Sequence, residues 1–187
     1  MSVMRKQLNC CVLLILFLCV SVAQADFLEQ LNEAGEYFTY ENKPIHPGLV
    51  KEFASWISDP GQPTTITVDI AADHGNEYFD DAVTIENDNN VCLHDSPEPG
   101  YFCYKWLGKL DNGFHVLITK DSGGGTGVFT DLLFISFQSD EGYTADGARY
   151  PRLLMSVERI YPLGDRFAGE IKINGNRVKI DQKEIFF

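Results

Sequence analysis

Residues 113–138 read GFHVLITKDSGGGTGVFTDLLFISFQ, two apolar, β-rich runs joined by a loop in which four of the five positions 123–127 are glycine. In the first run Phe114, Val116 and Ile118 alternate with His115, Leu117 and Thr119, so the two sets fall on opposite faces of a strand. The second run, Leu132, Leu133, Phe134, Ile135 and Phe137, is apolar on both faces and suits a strand in the interior of the structure. Together they predict a central hairpin. Consecutive glycines permit positive φ and the close approach of another backbone or a ligand, so Gly123, Gly124 and Gly125 are read as structural first and as binding residues second.

The flanking sequence carries the same period of two. Ile66, Val68 and Ile70 alternate with Thr65, Thr67 and Asp69, and short apolar runs follow at 82–85, 91–94 and 101–107, each bounded by Asn, Asp, Pro or Gly. Leu153, Leu154, Met155 and Val157 predict another buried strand, and Leu163-Gly164-Asp165 a turn. In the last hairpin Ile171 and Ile173 run out, Asn174-Gly175 supplies a type I′ turn, and Val178 and Ile180 run back. Helical periodicity is confined to the N-terminal part. Leu49, Val50, Phe53, Trp56 and Ile57 form one apolar stripe on a helix that starts at Pro47 and stops before Asp59-Pro60-Gly61, and Phe27, Leu28 and Leu31 predict a shorter helix before it. No helical pattern long enough for a crossover lies between the strands, so they pair antiparallel. The expected fold is mainly β (α+β): an antiparallel β-sandwich or barrel of eight or nine strands, with one or two N-terminal helices packed on it.

Arg5 and Lys6, the uncharged run from Cys11 to Val20 and the small residues ending at Ala25 have the order of a secretory signal peptide. Cleavage after Ala25 leaves residues 26–187 as a single globular domain, helical in 26–59 and β in 64–187, secreted or periplasmic, with no membrane span in the mature form. The apolar run is about ten residues, half of what a membrane helix needs. The leader holds two basic residues and no acidic ones, so 13 basic side chains face 27 acidic ones in the mature chain, a net charge of −14. Such a surface repels phosphate backbones, which excludes nucleic acid, and it favours cationic partners. Two cysteines outlast the leader, Cys92 and Cys103, and in an oxidising compartment they form one disulfide worth about 3 kcal/mol in the chain-entropy model.

The chemistry-bearing strings are few. Asp121-Ser122-Gly123-Gly124 resembles the nucleophile motif of the chymotrypsin-like serine proteases, and Ala71-Ala72-Asp73-His74 resembles the segment around their catalytic histidine. That resemblance implies a Ser122 nucleophile, but Lys120 and Gly125 replace the family's flanking Gly and Pro. The roughly 48 residues between His74 and Ser122 cannot hold the intervening strands of a two-barrel enzyme, and the loop leads into a strand where a nucleophile elbow leads into a helix. For metals, Glu86, Asp88 and Asn90 sit at alternate positions as in the start of an EF-hand loop and are the calcium candidates, although Val91 and Pro97 stand where that loop needs Gly and Glu. His46, His74, His94 and His115 show no zinc-enzyme spacing. Asp131 interrupts an apolar run, so it is turned outward at a strand end or buried with a partner. The string Ala145-Asp146-Gly147-Ala148-Arg149-Tyr150 is similar to the Ser-Gly-x-x-Tyr segment of periplasmic lysozyme inhibitors of the membrane-bound and C-type kind, with Asp146 in place of Ser. It implies an acidic protein that caps a cationic enzyme.

The expected function is non-catalytic binding of a protein, such as a cationic one, or of a small-molecule ligand. The surfaces are the acidic loop carrying Asp73, Glu77, Asp80 and Asp81 and the loop at Gly123 to Gly125. The alternative is a carboxylate-based hydrolase acting on an extracytoplasmic substrate.

Overall fold

The computed structural model describes residues 34, 36–40, 43–55, 66–70, 83–94 and 99–186. The hairpin at 113–138 is central, as its two-faced hydrophobicity requires. Its strands are β7 (His115–Ser122) and β8 (Phe129–Tyr143), and β7 is the middle member of a seven-stranded antiparallel sheet. The order across that sheet is β3 (Ile66–Asp69), β9 (Arg149–Asp165), β8, β7, β6 (Tyr101–Lys109), β5 (Asn90–His94) and β4 (Thr84–Glu86). A three-stranded meander, β10 (Ile171–Asn174), β11 (Arg177–Ile180) and β12 (Lys183–Phe186), forms a second sheet, and β1 (Thr39–Tyr40) with β2 (Lys43–Pro44) a short third one.

The pleat of β7 and β8 sorts the core into two layers. Leu117, Leu133 and Ile135 point to one face, where they meet Phe38, Ile45, and Leu49 and Val50 of helix α1 (Pro47–Ser55). Val116, Leu132 and Phe134 point to the other, where Val178 and Ile180 of the meander cover them. The protein is thus a sheet with a helical layer on one side and a small sheet on the other. That is mainly β with a helix packed on it, as expected; the described residues hold twelve strands where eight or nine were expected, because β1, β2 and β12 lack an alternating signature. Trp56 and Ile57 of the helical stripe, and Phe27, Leu28 and Leu31 of the first helix, lie outside the described residues.

Two turns differ from expectation. Leu163-Gly164-Asp165 is no turn: β9 runs on to Asp165, because Leu163 is an extra residue between the pairs Asp131↔Pro162 and Thr130↔Gly164. This bulge absorbs a proline and a glycine at φ +98° without ending the strand. In the meander Asn174 pairs with Arg177, so the two-residue turn is Gly175-Asn176, and of the pair Asn174-Gly175 only the glycine takes positive φ, which rules out type I′. Asn176 Oδ1 accepts a hydrogen bond from the Asn112 amide at 2.8 Å and pins this turn to the β6–β7 connection.

Cys92 and Cys103 face each other across β5 and β6 and are joined by a disulfide, Cα to Cα 4.1 Å. No helix among the described residues is long and apolar enough to cross a membrane.

Candidate functional site

The glycine loop is held from both sides. A side chain at Gly124, φ +82°, would meet Pro99 Cγ at 2.8 Å, so the glycine is there for close approach to the β5–β6 connection. From the other side Asp165 Oδ1 accepts from the Val128 amide at 2.8 Å, the Arg166 amide donates to Val128 O at 2.8 Å, and the Arg166 guanidinium donates to Thr126 O. Gly123 and Gly125 face open space. Ser122 is buried at the end of β7.

Behind the loop, on the face covered by α1, stand Asp121 and Asp131. Asp121 lies opposite Phe129 and Asp131 opposite Thr119, which makes the two carboxylates diagonal neighbours on one face. Lys51 Nζ of α1 reaches Asp121 at 3.9 Å. Burial, and then the charge of Asp121, holds the Asp131 carboxyl above the usual carboxylate range. A carboxyl whose pKa is raised by folding binds its proton more tightly in the folded chain. Ionising it therefore costs stability, and the cost grows as pH rises from the ordinary aspartate value through the folded one. Asp131→Asn is expected to raise Tm at pH 7, with the gain vanishing as pH falls below about 4. Thermal melts of both chains from pH 3 to 8 check this; a lower Tm for the variant at pH 7 contradicts it.

Asp73, Glu77, Asp80 and Asp81 lie outside the described residues, so the acidic loop stays an expectation from sequence. Of the calcium candidates, Glu86 and Asn90 pair across the β4–β5 turn, and Asp88 stands exposed on it at φ +63°. The Glu86 carboxylate turns to His94, Oε1 to Nε2 2.8 Å, and these two close over Cys92. Asp88 is not part of that group.

The long strands β8 and β9 run past their other partners. β8 pairs with β7 only as far as Ile135, and β9 pairs with β3 only over Leu154–Val157. Beyond them, among the described residues, Asp140–Tyr143 and Arg149–Arg152 pair only with each other, a two-stranded ribbon about 14 Å long at 3.4 Å per residue, anchored at its base where the Ile70 amide donates to Leu153 O at 2.9 Å. Its charges cancel across the strands, Arg152 with Asp140 and Arg149 with Glu141, and Pro151 withholds a donor from the outer edge, so the edges resist random strand pairing. Gly142 makes room for the Tyr150 ring, which a Cβ there would meet at 2.5 Å.

The tip is ordered by its own hydrogen bonds. Thr144 N donates to Ala148 O at 2.8 Å, Gly147 N to Thr144 O at 2.9 Å, and Ala148 N to Thr144 Oγ1 at 2.9 Å. The Thr144 hydroxyl donates to Asp146, which with nearby backbone donors keeps that carboxyl below its usual range and hence charged. Next to the tip Tyr143 is 62 % exposed, with the Arg149 guanidinium 5.7 Å from its ring centre. The string similar to the lysozyme inhibitors' segment, residues 145–150, falls on this tip.

A cleft of about 330 Å³ lies elsewhere, between β9 and the β11–β12 turn, lined by Tyr161, Phe167, Ile180 and Lys183 among others. Neither Asp121 nor Asp131 borders it. The charge is uneven along the chain: residues 26–148 carry 22 acidic side chains against 5 basic, whereas 149–187 carry 8 basic against 5 acidic. The acid excess therefore belongs to the first part of the chain, and the meander is basic. Comparison with protein families, curated proteins and solved structures finds no match for this chain.

Proposed function

We propose that the protein is a secreted or periplasmic binding domain that docks a cationic protein through the tip of the β8–β9 ribbon. The observation that carries this is the ribbon itself: an internally bonded hairpin that, among the described residues, pairs with no third strand and presents Tyr143 and Arg149 at its end. Tyr and Arg dominate the binding energy of protein interfaces, and a tip ordered in advance loses little entropy on docking. The mature chain, 13 basic against 27 acidic side chains, carries a net charge of −14, which favours a cationic partner and speeds its approach. The similarity of residues 145–150 to the lysozyme inhibitors' segment makes a C-type lysozyme the first probe.

Binding is measured at low ionic strength against that lysozyme and against a cationic protein of similar charge as control. The expected result is a micromolar or tighter complex with lysozyme that weakens with salt, and at least a tenfold loss in Tyr143→Ala with Tm unchanged. Equal binding of the control protein, or a Tyr143→Ala chain that binds as well as the parent, rejects docking through the tip. The second reading, a carboxylate-based hydrolase, rests on the raised carboxyl of Asp131 beside Asp121. It requires hydrolysis of an extracytoplasmic substrate that Asp131→Asn and Asp121→Asn each abolish.

A further inference from the structure

The Cys92–Cys103 disulfide lies beneath two side chains that metals bind. His94 follows Cys92 by two residues on the same face of β5, and Glu86 leans in from β4, where it sits two pairs beyond Thr84, the residue opposite Cys92. One ligand atom from each of Glu86, Cys92 and His94 lies within 4.8 Å of the other two. Carboxylate and imidazole are about half exposed, whereas Cys92 is 1 % exposed, so the sulfur forms the floor of a site open to solvent on one side. Cys103, directly opposite and bonded to Cys92, falls outside that group of three, and its sulfur is freed to turn toward it only when the S–S bond opens.

We propose that Glu86, Cys92, His94 and Cys103 form a zinc site that is closed while the disulfide is intact and opens when it is reduced. A disulfide sulfur carries no charge and is a poor ligand, whereas two thiolates with an imidazole and a carboxylate are a set that Zn²⁺ takes in tetrahedral geometry. In the oxidised chain one proton bridges His94 Nε2 and Glu86 Oε1 at 2.8 Å. Tetrahedral zinc at about 2.1 Å from each atom needs them roughly 0.6 Å farther apart, a shift that exposed side chains make easily. The redox step needs a reductant: a thiol, dithiol or phosphine gives two electrons, the S–S bond breaks and each sulfur gains a proton. Zinc then displaces the thiol protons to solvent. The metal replaces one cross-link between β5 and β6 by another, so the two strands stay joined in both states.

The full mature chain is compared with its disulfide intact and after reduction by a water-soluble phosphine, which ends as phosphine oxide with oxygen from water. Zn²⁺ affinity is read by competition with a chromophoric chelator, and Co²⁺ serves as the spectroscopic probe. The expected result is zinc binding at least a hundredfold tighter after reduction and a thiolate-to-cobalt charge-transfer band seen only then. His94→Ala and Glu86→Gln should each weaken the reduced site at least tenfold. Equal affinity in both redox states, no thiolate band, or full affinity in reduced His94→Ala overturns the proposal. Where reduction unfolds the chain, Zn²⁺ should restore the native circular dichroism spectrum of the parent but not of His94→Ala; no recovery in the parent, or equal recovery in both, overturns it as well.

Discussion

Phe134→Ala is expected to lower the unfolding free energy by about 3–5 kcal/mol, the cost of deleting a fully buried phenyl ring and leaving a cavity. For a chain of this length that is a fall in Tm of roughly 6–20 °C. Phe134 has no exposed surface and sits between the central sheet and the meander, among Leu110, Val116, Leu132, Val178 and Ile180. Its loss opens a cavity in the cluster that joins β10–β12 to the sheet. Amide exchange should therefore quicken in the meander before it does in β7, while Phe134→Leu, which nearly conserves volume, costs less than about 1.5 kcal/mol. A loss below 1 kcal/mol for the alanine variant contradicts the packing of the meander on this face.

The layering behind that expectation was legible in the sequence. Residues 132–135 are apolar at consecutive positions, and a strand with no wet side must be covered twice. Helix α1 was legible for the converse reason, since Leu49 and Val50 fall on one stripe and both are buried. The lengths of β8 and β9 were not. Gly142, Pro151, Pro162 and Gly164 all punctuate those strands, and in a single sequence punctuation looks like termination. The structure keeps the strands going by placing Pro151 on an edge that no described strand pairs with and by bulging Leu163. Sequence reasoning thus cut the ribbon away from its base and left residues 145–150 as a string without a place.

The metal-type cluster failed to show for a related reason. His94 and Glu86 are eight residues apart with a left-handed turn at Asp88 and Asn89 between them, and such spacing carries no ligand signature. Strand pairing supplies what spacing lacks: the β4–β5 hairpin folds Glu86 back over Cys92. Conversely, the glycines at 123–125 are conspicuous in sequence, and the structural role expected of them first is seen at Gly124, which lies against Pro99, while Gly123 and Gly125 face open space.

Phe38 sets up the second large effect, and here two physical terms can be separated. The ring is buried at the centre of the helical side, 5.4 Å from Tyr104 in an edge-on contact, 5.6 Å from Phe137 and 5.8 Å from His115. Phe38→Ala should cost about 3–5 kcal/mol, with the lost aromatic pairs placing it toward the upper end. It should also open His115, now 1 % exposed, to carbethoxylation by a reagent that does not reach it in the parent. The backbone gives the second term. Phe38 has φ +57°, a left-handed conformation that costs an L-residue about 1–2 kcal/mol and glycine almost nothing. Alanine deletes the ring and keeps that strain, whereas glycine deletes the ring and releases it. Phe38→Gly should therefore be about 1 kcal/mol more stable than Phe38→Ala, the reverse of the order at ordinary strand or helix positions. Urea titrations of the two variants side by side decide it, and a glycine variant less stable than the alanine one would show that Phe38 does not hold the left-handed conformation.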